Sequence, residues 1–384
     1  MQIQSTSRHS MITDYFSSIE DPRLNRRKRH KLGDIFFMAL CAITCGADTW
    51  TGIALFAKTK QKWFTQVLEL TDETPSHDTF ARVFSLIKPE QFNVCFSRWA
   101  NDLSTTQDRK IIAIDGKCLR SSLDRAAKKS AIYMVSAYEV EGQLVLGQQK
   151  VDEKSNEITA IPKLLNNIDI SGSVITLDAM GCQKDIAQQI VDKEADYFLS
   201  LKGNQGNLHE FVKLFFESEN TSPVTGHTSY DAEHGRYETR KVRATDDIDW
   251  LKKVHPEWAK LTSIIAVTSE REVREKISEE TRYFISSLAV DDVKYLGHVA
   301  RSHWAIENNL HWVLDNSFNE DHQRMRIGYS DANMAVMRHI TLNMLKLDKT
   351  NKAGIKNKRL LAGWDEDYLL RIITGHIRNT KDSD

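Results

Sequence analysis

Residues 110–117 read KIIAIDGK, a mostly apolar run of strand length that ends in an aspartate, a glycine and a lysine. It follows a polar break at residues 104–109, and on either side of that break the hydrophobic pattern differs. Upstream the spacing is helical. Downstream, residues 131–139 and 143–151 alternate as two more strands joined at Glu141-Gly142, and a helix over 158–166 leads to SVITL at 173–177. A helix over 184–194 and a strand over 197–201 follow, closing with Lys202-Gly203-Asn204-Gln205. The expected order is β, β, β, α, β, α, β, α, an α/β domain with Asp115 just after the first strand and Asp178 just after the fourth. In a parallel α/β sheet, side chains at the carboxyl ends of neighbouring strands converge on one crevice, so these two acids can meet there. Taken singly, each is an ordinary turn former or helix cap.

A third acid lies in residues 301–326, RSHWAIENNLHWVLDNSFNEDHQRMR. At helical spacing, Val299, Ile306, Leu310, Val313 and Phe318 form an apolar stripe, while His303, Glu307, His311 and Asp315 fall at four-residue steps on another face. Alone, such a polar line is a hydrated surface, and Glu320-Asp321 reads as a helix-terminal surface patch or as a spare acidic pair near the site. With Asp115 and Asp178, Glu307 makes a carboxylate triad of the kind that holds two magnesium ions about 4 Å apart for in-line displacement at phosphorus. Hard oxygen ligands suit Mg2+, with Mn2+ as a substitute, and the lack of cysteine pairs disfavours zinc.

The 384 residues allow two or three domains with a real core. The net charge of -1 advertises no overall basic field, so nucleic-acid binding must come from local patches. Cys41, Cys45, Cys95, Cys118 and Cys182 form no CxxC pair, which points to a reducing, cytoplasmic setting, at the nucleoid when DNA is bound. The N-terminus has no apolar signal core, and the apolar run at 35–47 is shorter than the roughly 18 residues of a membrane span. No membrane partner is expected, and that run reads as a buried helix.

Residues 1–105 read as an all-helical N-terminal domain: a short amphipathic helix at 11–20, then helices near 32–46, 49–58, 61–68, 77–87 and 89–103. The run RLNRRKRHK at 23–31, with Arg26, Arg27, Lys28 and Arg29, is either a solvated linker or an arm that meets phosphate. Ser76 caps a helix that presents His77 and Arg82 ahead of an apolar face, the form of a major-groove recognition helix and equally of an ordinary packed helix.

The segments IAIDGKCLRSS, KSNEITAIPKLL, LDAMGCQKDIA, YFLSLKGNQGNLHE, HGRYETR and HWAIENNLHWVLDNSFNEDHQRMR, with DPRLNRRKRHKL and PSHDTFARVF upstream, closely resemble those of the ISAs1 family of insertion-sequence transposases, including the H-repeat-associated proteins. The resemblance covers roughly residues 15–370. It implies a ribonuclease-H-like catalytic domain of the DDE type, here 106–345, with Asp115, Asp178 and Glu307 as the acidic triad and a β-rich insertion at about 218–287. The activity implied is metal-dependent cleavage at insertion-sequence ends and strand transfer into target DNA. The partners are double-stranded DNA, at element ends and target, and a second copy of the chain, since two ends must be cut together.

Within the insertion, residues 228–242, 261–268 and 281–287 alternate like strands, and Arg236, Arg240, Lys241 and Arg243 make it locally basic. This is a solvated face or a DNA contact. Trp250 and Trp258 lie between its strands, either in the core or stacked on a base. Lys117, beside the first aspartate, and Lys202, Asn204 and Gln205, on the loop after the last strand, are assigned to phosphate. Transposases with a comparable insertion carry a Tyr-Arg-Glu-Lys signature around the catalytic glutamate, and here Ala300, His303 and Leu314 occupy the other three places. The roles of that Arg and Lys therefore do not transfer, and His303, Asn308 and His311 stand as substitutes that orient ligands or touch phosphate. The basic tail, 346–384, packs on the catalytic domain or binds DNA. The rival reading is a catalytically inactive, transposase-derived DNA-binding protein.

Overall fold

The computed structural model describes residues 12–374 apart from 25–27, 69, 71–72, 105–108, 124–129, 153–154, 219–222, 234–235 and 274–275. Arg26 and Arg27 of the basic run, and the tail beyond 374, lie outside the described residues.

The β-rich pattern after residue 110 folds into a mixed α/β unit. Strand β1 (Ile111–Leu119) pairs antiparallel with β2 (Ile132–Glu139), and β2 with β3 (Leu144–Lys150). On its other side β1 pairs parallel with β4 (Val174–Leu177), and β4 with β5 (Asp196–Leu201). Helices Glu157–Asn167 and Lys184–Asp192 supply the crossovers that parallel pairing requires. The insertion adds β6 (Thr225–Glu233), β7 (Arg236–Thr245), β8 (Ser263–Val273) and β9 (Lys276–Ser286), all antiparallel, and β9 pairs with β5. One sheet results, in the order β3-β2-β1-β4-β5-β9-β8-β7-β6.

Two expectations change. Residues 228–242 are not one strand but parts of two, β6 and β7, paired antiparallel with Glu233 opposite Arg236. Strand β1 does not end before Asp115 but runs through it to Leu119, because the hairpin partner β2 continues to bond it, Asp115 opposite Ser136.

Alternation along the strands divides the core. Ile112, Ile114, Val135, Ala137, Leu144 and Leu146 pack with Leu164, Ile186 and Val212 of the crossover helices and of the helix after β5. Ala113, Tyr138 and Val145 face the opposite way, into a core built from both ends of the chain. That second core joins Phe37, Phe64, Phe80, Phe84, Phe92 and Phe96 of the N-terminal helices to Ile306, Leu310, Phe318, Met337, Ile340, Leu369 and Ile372.

The N-terminal helices follow their sequence signals. Thr49 caps Trp50–Thr59 by accepting from Gly52 N at 3.0 Å, Ser76 caps His77–Leu86 by accepting from Thr79 N at 3.3 Å, and Pro89 opens Pro89–Leu103. Helix Ser330–Leu347 is buried along nearly its whole length. Its Asn343 bonds edge strand β3, accepting from Val145 N at 2.9 Å and donating to Val145 O at 2.8 Å.

The described part of the tail packs inward. Arg359 is buried, donates to Ile43 O at 2.8 Å, pairs with Asp48 at 3.0 Å and lies 4.2 Å over the Phe318 ring. Lys358 donates to Leu345 O at 2.8 Å, whereas Lys352 and Lys356 are exposed. Among the described residues no helix is long and apolar enough to cross a membrane.

Candidate active site

The register places the first two acids. Ile114 pairs with Leu177, so Asp115 and Asp178 occupy the next positions of two adjacent parallel strands, about 4.8 Å apart in backbone spacing. Strand β4 ends there, and the chain turns because Asp178 Oδ1 accepts from Met180 N at 2.9 Å and Gly181 N at 3.0 Å. Asp115 shares the sheet face of Ala113, toward which Ile306 and Leu310 pack, and this brings Glu307 over the strand ends.

The helical segment around Glu307 is less regular than its spacing predicts. Helix Val293–Ser302 ends in a turn, a π-helical stretch follows over Glu307–His311, and an α-helix resumes at Trp312–Phe318. The four-residue line His303, Glu307, His311, Asp315 is not a solvated face: His303, His311 and Asp315 are half-buried against the sheet, and Glu307 and Asn308 are exposed. The Arg282 guanidinium of β9 lies 4.4 Å over the Trp304 ring and ties this segment to the insertion.

Asp115 is the electrostatic centre. Burial pushes its carboxyl up to about 7, the Gly116 N–H opposes that, and the charges of Asp178, Glu157 and Glu307 raise it further. The folded chain thus holds a proton on Asp115 that the unfolded chain, with its ordinary value of 3.8, has released. Between those values the native state binds more protons, so without metal this group makes stability fall as pH rises from 3.8 to about 7, with no further change above. Asp115→Asn removes that part of the slope. Urea midpoints in EDTA across this window, wild type against variant, check it, and an unchanged slope would count against a raised Asp115.

The histidines line the site as neutral groups. His303 Nδ1 lies 3.1 Å from Thr176 Oγ1 on β4, and burial lowers its pKa. His311 Nδ1 lies 3.6 Å from Asp115 Oδ2, and burial together with the Lys117 charge holds His311 down to about 3, so this is a contact of neutral imidazole and not an ion pair.

Several residues assigned to phosphate have other partners. Lys117 pairs with Asp315, and with Glu320 at 2.9 Å, and its side chain is only 11% exposed. Glu320 is likewise no surface acid. It is buried between Lys117 and Arg338, 3.3 Å away, and although burial raises it, Lys117, Arg338 and His339 hold it down at about 2. Asn204 Nδ2 donates to Ala179 O at 2.7 Å and Gln205 Nε2 donates to Cys182 O, so these amides brace the loop behind Asp178. Arg240 lies 2.8 Å from buried Glu238 and 3.7 Å from Asp231, committed within the insertion. Arg236 lies in β7. Trp258 is buried, and Trp250 stacks on Phe215 at 5.8 Å. Lys28, Arg29, His77, Arg82 and Lys202 are exposed.

One acidic residue near the site has no role in the sequence reading. Glu157 opens helix Glu157–Asn167, and its carboxylate lies against Gly116. An acid in a helix's first turn after an Asn cap reads as a dipole partner, so nothing in the residue pattern distinguishes it.

The donor set fits a hard divalent cation. Asp115, Asp178 and Glu307 offer only oxygens, and the charge crowded on Asp115 is of the sign a cation relieves. Among the described residues no three His, Cys, Asp or Glu side chains lie together closely enough to hold a metal ion.

Residues 106–344 match the family described as Transposase DDE domain, and residues 13–100 match the one described as DDE_Tnp_1-associated. The chain is 40% identical over 372 residues to "H repeat-associated putative transposase YhhI" of Escherichia coli (strain K12), covering 95% of this chain and 98% of that protein. It is also 40% identical over 378 residues to "Putative transposase YncI" of Escherichia coli O157:H7, covering 97% and 95%. "Uncharacterized protein in dhlA 3'region" of Xanthobacter autotrophicus is 43% identical over 280 residues, 72% of this chain and 94% of that protein. Domains of this kind act on DNA and typically use divalent metal ions. With the family matched over most of its length, and relatives of nearly its own extent, the chain belongs to the DDE transposases and is a DNA transposase.

Proposed function

We propose that this transposase cuts DNA at the ends of its own insertion sequence to free 3′-hydroxyls and joins them to target DNA, with Asp115, Asp178 and Glu307 as the catalytic, metal-holding triad. The observation that carries this reading is the convergence of the Asp178 and Glu307 charges on Asp115 from three separate parts of the chain. Strands β1 to β5 are the ribonuclease-H-like core within a catalytic domain at 106–345, preceded by a DNA-binding region at 1–105 and followed by the tail at 346–384. Asp115, Asp178 and Glu307 would hold Mg2+, with Mn2+ as a substitute. When bound, such ions lower the pKa of a water or 3′-hydroxyl and neutralise charge on the leaving oxygen.

The chain's own groups do the rest. The bonds from Met180 N and Gly181 N fix the Asp178 carboxylate through Oδ1. The amides of Asn204 and Gln205 keep that loop in place. Neutral His303 and His311 fill the space behind the acids without adding charge, which keeps the carboxylates available to a cation. Exposed Lys28, Arg29, His77, Arg82 and Lys202 meet phosphates, a contribution that weakens with salt. Hydrolysis and strand transfer are then one displacement at phosphorus with two nucleophiles, water and a 3′-hydroxyl. A homodimer brings two ends together.

The test is cleavage of labelled DNA carrying the element's ends in Mg2+, Mn2+ or EDTA, by wild type and Glu307→Gln. Metal-dependent nicking that the variant loses is the expected result. Binding without cleavage in every condition would instead favour an inactive DNA-binding descendant.

A further inference from the structure

We propose that Glu157 is a fourth carboxylate of the metal-binding site, an oxygen ligand that reaches the ions across Gly116; the proposal rests on the reading of Asp115, Asp178 and Glu307 as their holders. Helix Glu157–Asn167 is already capped, Asn156 Oδ1 accepting from Ile158 N at 3.1 Å. A first-turn glutamate that only complements the helix dipole extends into solvent. Glu157 instead turns over β1. A Cβ built on Gly116 would stand 2.0 Å from Glu157 Oε1 and 2.3 Å from its Cδ, so the carboxylate fills the space that any other side chain at 116 would take.

Gly116 directly follows Asp115, and Glu157 lies within electrostatic reach of both Asp115 and Asp178. Among the described residues no basic side chain forms an ion pair with it. Holding a carboxylate against two others with no cationic side chain is unfavourable, and a divalent ion reverses the sign of that interaction. Glycine at 116 is the feature that admits the fourth acid.

The measurement is a titration of Mn2+, followed by its electron paramagnetic resonance signal, into the full-length protein at fixed pH. Wild type, Asp115→Asn, Glu157→Gln, Gly116→Ala and the Gly116→Ala/Glu157→Gln double variant are compared, with circular dichroism showing each to be folded. Glu157→Gln weakens Mn2+ binding by about tenfold or more. Gly116→Ala does the same by displacing the flexible end of Glu157, and the double variant binds no worse than either single one, because both remove one ligand. If Glu157→Gln binds Mn2+ like wild type while Asp115→Asn does not, the triad stands and the role of Glu157 is overturned, whatever Gly116→Ala does. If wild type binds no Mn2+, the triad reading fails and the fourth ligand fails with it.

Discussion

Asp115→Asn lowers single-turnover cleavage and strand transfer by about a thousandfold, because several kcal/mol of charge stabilisation at phosphorus go with the ion that the proposed triad would hold. The substitution keeps the size of the side chain and the β1 to β2 pairing around it, Asp115 opposite Ser136. Affinity for DNA ends stays near the wild-type value, since the change removes a negative charge and no phosphate contact. The variant is also more stable than wild type in EDTA above about pH 7, because the folded chain no longer has to bury a carboxylate that burial and three neighbouring acids disfavour. Reduced activity with raised stability separates lost chemistry from misfolding. Cleavage at the wild-type rate on labelled ends would remove Asp115 from the site.

Glu320→Ala destabilises the protein by about 3–5 kcal/mol, the usual cost of stranding a buried charge, because it leaves Lys117 and Arg338 buried without their shared acid. Denaturant midpoints measure it, and a loss under about 1 kcal/mol would show that water or another group takes over. The stabilisation from Glu320 is complete above its ordinary value of 4.5 and is lost as pH falls toward about 2. A companion variant, Lys117→Ala, tests the revised role of Lys117: stability drops while the salt dependence of DNA binding keeps its slope. The position of Lys117 explains why its neighbours matter. Two residues along β1 from Asp115, it shares that residue's face, and it ties the strand to Asp315 on the helix after Glu307.

The legible parts of this molecule are those governed by local periodicity. Residues 110–114 and 173–177 read as strands from their apolar runs, and the aspartates after those runs could be singled out because parallel strands share a crevice. The N-terminal helices were readable from Ser76, Thr49 and Pro89, whose capping chemistry is local. Contacts between distant segments were not readable. Lys117 beside Asp115 has the pattern of a phosphate ligand, and its pairing with buried Glu320, far along the chain, is invisible in that pattern. Asn204 and Gln205 sit on a loop of suitable composition for phosphate, yet their amides meet carbonyls of the Asp178 loop more than twenty residues away in sequence. Glu157 was hidden for the same reason, since a glycine's significance at 116 depends on what approaches it.

The core that joins the first helices to the last has a consequence for how the chain is made. Phe37 and Phe84 leave the ribosome long before their partners Met337, Ile340 and Leu369 are made. During translation the N-terminal helices therefore wait with an apolar face uncovered, a state open to chaperones and to aggregation. Closure of that face is a late, long-range event of high contact order. Any nascent or prematurely terminated product that stops between Glu307 and the final helices carries all three acids of the proposed triad and still lacks the wall that covers its first helices.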